Sequence, residues 1–152
     1  MTSNKANQKI IVDRLAWINR MLADIRSLPL DGFENFQNDS RNIGAAESSL
    51  RRALEALLDL GRHILAKVFA KAVAEYKTIA DELEKEGVLD SETGRQLKIL
   101  AGYRNRMVHF YHEITPEELF DICSNQIDDI VKVQNAFKKW IKDNPEFIDR
   151  TI

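Results

Sequence analysis

An arginine, a histidine and a tyrosine lie close together in Tyr103-Arg104-Asn105-Arg106-Met107-Val108-His109-Phe110-Tyr111, and nowhere else does the chain gather reactive groups so tightly. A guanidinium can hold a phosphate, an imidazole can move a proton near neutral pH, and a phenol can accept a covalent modification. The same region reverses the sign of the protein. From Arg95 to His112 there are Arg95, Lys98, Arg104, Arg106 and two histidines but no Asp or Glu, in a chain whose formal net charge is -2. That local reversal predicts an anionic ligand.

Helices must position these groups. Three stretches repeat apolar residues at steps of three and four, which keeps them on one helical face: Ile11, Leu15, Ile18, Leu22 and Ile25; then Leu50, Leu54, Leu57, Gly61, Ile64 and Val68; then Leu119, Cys123, Gln126, Ile130, Val133, Phe137 and Trp140. Leu28-Pro29 ends the first, and the mostly polar connection from Asp31 to Ser40 reads as a loop or short turn. Gly61 in the second seam predicts close approach of a neighbouring element. One helix from Arg41 to Glu86 would be too long, so a bend is expected near Phe69 to Ala74, followed by a helix over Ala72 to Glu86 closed by Gly87. Asp90 or Ser91 caps the helix carrying the motif. Thr115-Pro116-Glu117-Glu118 opens the last helix with a hydroxyl cap, a proline in the first turn and a Glu placed to close a capping box; Asn144-Pro145 stops it. The expected fold is all-α, an antiparallel bundle of four to five helices ordered over about 9–143.

On the motif helix, Leu97, Leu100, Arg104, Met107 or Val108, and Tyr111 share one stripe, so Arg104 stands where an apolar side chain belongs. A guanidinium there needs a partner or a wet cleft, because an unpaired buried charge is costly. His109 follows five residues later, about 140° round a regular helix. Either the helix loosens at His109 or the site is completed by a second surface, such as the same face of another protomer. Asn105 and His109, at i and i+4, share a face. On spacing alone, Arg104 and His109 are also what a helix C-terminus at a surface would carry as dipole partners.

The 152 residues, 44% hydrophobic and 30% charged, are expected to form a single soluble domain spanning 1–152, and the polar start Met1 to Lys5 predicts a cytoplasmic protein. Cys123 is the lone cysteine, which excludes an internal disulfide and reads as a core residue. His63 reads as a boundary residue beside the second seam, and His112 as groove lining or solvent-facing. Lys138, Lys139 and Lys142 could extend a polyanion track or serve solubility.

Arg104-Asn105-x-x-x-His109-x-Tyr111 resembles the Arg-x4-His-x-Tyr signature of the HepT-like branch of the HEPN superfamily, the toxin half of HepT/MntA-type toxin–antitoxin pairs. The likeness extends over roughly Ile11 to Lys142, through Leu57-Leu58-Asp59-Leu60-Gly61-Arg62-His63, the helix end at Glu82 to Leu89, and Ile114-Thr115. The chain departs from the family pattern in having no Gly or Pro between the second and third helices. The resemblance implies a homodimer whose two motifs face each other across a cleft, a metal-independent endoribonuclease without cofactors, and inhibition by a cognate minimal nucleotidyltransferase (MntA-like) antitoxin that transfers AMP to Tyr111. Under it, Arg104 and His109 are the catalytic pair, acting on an RNA substrate. Asn105, Arg106 and Lys98 are expected to bind the substrate. The same residues would equally serve a non-catalytic dimeric module that binds a nucleotide or RNA and docks a nucleotidyltransferase.

Overall fold

The computed structural model describes residues 4–109 and 114–151. Among them the elements run β1 (Ala6–Asn7), α1 (Gln8–Arg26), α2 (Phe33–Gln37), α3 (Ser40–Val68), α4 (Tyr76–Lys85), α5 (Ser91–His109), α6 (Pro116–Asn125), α7 (Ile127–Asp143), a 3-10 turn (Pro145–Phe147) and β2 (Ile148–Asp149). The all-α reading holds, with seven α-helices among the described residues where four to five were expected.

The bundle is built round α3, which explains its sequence. Leu50, Leu54, Leu57 and Ile64 are fully buried as the seam requires, but so are Leu58, Leu60 and Leu65 on other faces, because α1, α4 and α5 enclose this helix. Asp39 starts it, accepting the Arg41 amide at 2.9 Å. At Gly61 a Cβ would lie 2.7 Å from Leu83 Cδ1 and 3.2 Å from Ile79 Cγ2, so the expected close approach is made by α4.

The chain leaves α3 at Val68 without a glycine or proline. Ala70 takes the left-handed turn at φ 53, a conformation costing an L-residue about 1–2 kcal/mol. Arg62 offsets this from the helix itself, donating through Nε to the Val73 carbonyl at 3.2 Å and through Nη2 to that of Ala74 at 3.0 Å. Helix α4 thus begins at Tyr76, four residues later than the pattern indicated. Gly87, at φ 77, closes it, with Val88 N–H bonded to the Leu83 carbonyl at 2.9 Å and Gly87 N–H to that of Glu84 at 3.0 Å. Asp90 then caps α5 through the Thr93 amide at 2.7 Å.

Three expectations change. The connection after α1 contains α2, whose Phe36 is fully buried and packs with Phe33 against the Phe120 ring. The last helix is two: the chain breaks at Gln126 (φ -117, ψ 2), whose side chain accepts the Tyr103 hydroxyl at 2.8 Å. The capping box is half made, since Thr115 accepts the Glu118 amide at 3.1 Å while the Glu118 carboxylate turns to Arg106.

The ordered fold also reaches beyond 9–143. Ala6–Asn7 pairs in parallel with Ile148–Asp149, a two-residue clip that shows no alternation in sequence. His63 locks it, its Nε2 accepting the Asn7 backbone N–H at 2.9 Å, while the Asn7 side chain caps α1. Burial, with Lys67 and Arg14 adding repulsion, holds the His63 imidazole below its ordinary value of 6.5. The folded state therefore favours neutral imidazole, and protonation would remove the acceptor. His63 contributes stability that is present above about pH 6.5 and lost as pH falls through its depressed folded value. Melting temperatures measured downward from neutral pH should show an acid-side decline that His63→Gln flattens; identical profiles would exclude the role.

Candidate functional site

Helix α5 brings Arg104, Asn105 and His109 to one side of an open cleft of about 680 Å³, whose other wall is Arg62 with the run Ala74 to Lys77 at the start of α4. The helix remains regular through His109, which is exposed. The two side chains therefore do not converge from one face. Both nonetheless line the cleft, as does Asn105, one turn before His109.

Arg104 has both the partner and the wet cleft that its place on an apolar stripe demands. Leu97, Leu100 and Met107 of that stripe are buried, whereas the Arg104 side chain is 21% exposed. Its Nε and Nη2 donate to Glu55 Oε2 at 3.0 and 2.9 Å, and Nη1 reaches Asn105 Oδ1 at 3.4 Å. The guanidinium lies over the Tyr76 ring, 4.5 Å from its centre, and Arg62 lies 5.0 Å from the same centre. The Tyr76 hydroxyl donates to Asp59 Oδ1 at 3.0 Å, which Arg62 Nη1 also reaches at 3.0 Å. Burial, then the Asp59 charge, pushes the phenol above its ordinary value, so it stays protonated and donating at neutral pH. Arg51 completes the network on Glu55 Oε1 at 2.9 Å.

Other expected binding residues stand elsewhere. Arg106, two positions from Arg104 and so on the far side of α5, makes a paired contact with Glu118 of α6, both distances 2.8 Å. Its fork holds the Glu118 carboxyl below the usual range. Lys98 pairs with Asp81 across α4 and α5 at 3.2 Å. Neither lines the cleft, so the structure does not bring them to Arg104 as substrate-binding residues. Tyr111 and His112 lie outside the described residues. Burial raises the Cys123 thiol to about 12, consistent with a core role.

Glu55, Asp59, Arg62 and Tyr76 were not singled out from the sequence, although a signal exists. Glu55, Asp59 and Arg62 follow helical spacing as a polar stripe on a helix otherwise apolar on several faces, which marks a side not covered by core.

A fold of this kind with an arginine and a histidine on one helix defines a class. Residues 18–136 match the ribonuclease HepT-like family, and the chain belongs to that family. It is 29% identical over 112 residues, 73% of this chain and 76% of the relative, to a protein named tRNA nuclease HepT from Aphanizomenon flos-aquae. It is 22% identical over 129 residues, 85% and 96% of the two chains, to one named mRNA nuclease HepT from Shewanella oneidensis. Among solved structures, the tri-AMPylated Shewanella oneidensis HEPN toxin in complex with MNT antitoxin superposes with a TM-score of 0.77 at 22% identity, covering 86% of this chain and 97% of that one. YutE of Bacillus subtilis, a cytosolic protein of unknown function, gives 0.78 at 18% identity, covering 95% and 96%. Among the described residues no helix is long and apolar enough to cross a membrane.

Glu55 is thus a positioning residue for Arg104. Glu55→Gln should lower stability by about 1 kcal/mol or less, the scale of a partly exposed ion pair. A double-mutant cycle with Arg104→Ala in chemical denaturation should return a coupling of at least about 0.5 kcal/mol, and simple additivity would show that the pair contributes nothing.

Proposed function

We propose that this chain is the toxin of a toxin–antitoxin pair, a metal-independent endoribonuclease of the cytoplasm whose working site forms where two copies set their clefts together. The observation that carries the reading is that Arg104, Asn105 and His109 line one open cleft, with the guanidinium steered by Glu55 and Tyr76. Relatives named as tRNA and mRNA nucleases support the activity. Solved complexes of similar toxins with MNT antitoxin support the partner, a nucleotidyltransferase.

The reaction needs no metal if the ribose 2'-hydroxyl is the nucleophile. A base takes the 2'-hydroxyl proton, the 2'-oxygen bonds to the adjacent phosphorus, and the bond to the 5'-oxygen breaks as that oxygen receives a proton. The products are a 2',3'-cyclic phosphate and a free 5'-hydroxyl. One His109 cannot be base and acid at once, whereas a homodimer supplies two. Arg104 gives its planar fork to the phosphate and the charge that builds on the phosphorane. Its Nε and Nη2 already meet Glu55, so phosphate would be met by the remaining Nη hydrogens beside Asn105.

Tyr111 is the proposed point of control. A phenol titrates too high to serve as base near neutral pH, but AMP added there would bring anionic phosphate that competes with RNA for Arg104.

Purified protein incubated with tRNA and mRNA in excess chelator should cleave RNA, and His109→Ala should slow cleavage by about 100-fold or more. RNA retained but uncut by the unaltered protein would identify a binding module instead, and an unimpaired His109→Ala would remove the histidine from the mechanism. Co-expression with the nucleotidyltransferase should add AMP at Tyr111 in peptide mass spectra; neutralisation with an unmodified Tyr111 would reject this form of control.

A further inference from the structure

A second, smaller depression of about 220 Å³ lies between α1 and α3, with Arg14, Trp17 and Arg52 at its rim. It adjoins the catalytic cleft. Glu55 and Asp59 form its inner edge while their carboxylates contact Arg104, Tyr76 and Arg62 of the cleft beyond. These two acids are already matched, Glu55 by Arg51 and Arg104 and Asp59 by Arg62. Arg14 and Arg52 are exposed and have no ion-pair partner among the described residues. Uncompensated positive charge therefore lies at the rim in a protein whose net charge is -2.

Trp17 is the unexpected member. Its ring is 37% exposed, with the Arg20 guanidinium 5.5 Å from the ring centre, although an indole on a helix facing α3 would ordinarily be buried. Its surroundings are wrong for an apolar partner. The other exposed large apolar residue of α1 is Val12, five positions earlier and about 140° round the helix, so no continuous greasy face forms. An exposed aromatic ring that shares a depression with guanidinium groups lacking an ion-pair partner among the described residues suits a ligand with a flat face and charged links, which is the chemistry of unpaired nucleotides.

We propose that this depression is a second subsite of the nuclease cleft, where one unpaired nucleobase of the RNA stacks on Trp17 while Arg14 and Arg52 hold the phosphates flanking it. The assignment rests on the reading of the main cleft as an RNA site. It makes the substrate a single strand, since a paired base offers no free face to the indole. It also places recognition one side chain away from the reacting phosphate, across the Glu55 and Asp59 edge.

Single-stranded RNA carrying 2'-O-methyl groups lacks the nucleophile and so reports binding without cleavage. By fluorescence anisotropy, Trp17→Ala should weaken binding of a twelve-nucleotide strand about tenfold, the scale of one lost base stack, and Trp17→Phe should recover most of it. Arg14→Gln with Arg52→Gln should make the dependence of log Kd on log salt shallower by roughly 1.4, two phosphate contacts on a single strand. All three residues are exposed, and circular dichroism will verify that the variants fold. Unaltered affinity and salt slope in the variants, while the parent protein still cleaves RNA, would overturn the subsite and leave the nuclease reading standing. A parent protein that neither binds nor cleaves would overturn both. Variants that instead change the sedimenting mass or lose only the nucleotidyltransferase would show that the face meets protein, which also overturns the proposal.

Discussion

The arrangement of the site depends on a single constraint: a permanently charged guanidinium placed on the inward stripe of α5. Arg104 can stand there only because Glu55 meets two of its nitrogens and Tyr76 lies flat beneath it. That requirement propagates. Tyr76 is held by Asp59 and by Arg62 on its ring, and Arg62 also clasps the carbonyls of Val73 and Ala74. One polar chain thus ties α3, the turn after it, α4 and α5 together. The turn needs no glycine because its shape is imposed by Arg62 from outside, at the cost of a left-handed alanine.

Stability and orientation come from different parts of the molecule. Each fully buried leucine or isoleucine around α3 contributes about 1.5–3 kcal/mol, and the seam alone supplies several of them. The ion pairs of the site are a fifth to two-fifths exposed, where solvent screening leaves each pair about 1 kcal/mol or less. The network could vanish without unfolding the bundle. What it sets is direction, since a fork bound along one edge presents the other at a defined angle.

Most of the positioning scaffold was legible in the residues. The seam of α3, the Gly61 contact, the break before α4, the Gly87 stop and the Thr115-Pro116 start all follow from local chemistry, and so does the anomaly of Arg104. What escaped depends on distant pairing. Glu55 lies 49 residues from Arg104, and no spacing rule joins them. The split at Gln126 escaped for another reason: a single non-helical residue leaves the apolar stripe nearly in phase, so the pattern reads through it. The terminal strand pair is two residues long, below any periodicity. Lys98 and Arg106 were grouped with the site by composition, but a charge run on a helix faces every direction, and these two point to Asp81 and Glu118.

Arg106 nevertheless bears on the site. It stands about 200° from Arg104 on α5 and grips the first turn of α6, so the C-terminal end of the motif helix is pinned from both sides, inward through Glu55 and outward through Glu118. His109 is different, being exposed and without a hydrogen-bond or ion-pair partner among the described residues. The division suits a phosphoryl reaction. The cation must be in place before the phosphate arrives, because reorienting a solvated charge during the reaction would forfeit the electrostatic advantage of a preformed site. An imidazole that exchanges protons needs only to come within hydrogen-bond reach, and the substrate itself, or the facing copy of the cleft, can supply its second contact. On the proposed mechanism, the fold fixes the group that would bind and leaves the group that would react to be completed by whatever fills the cleft.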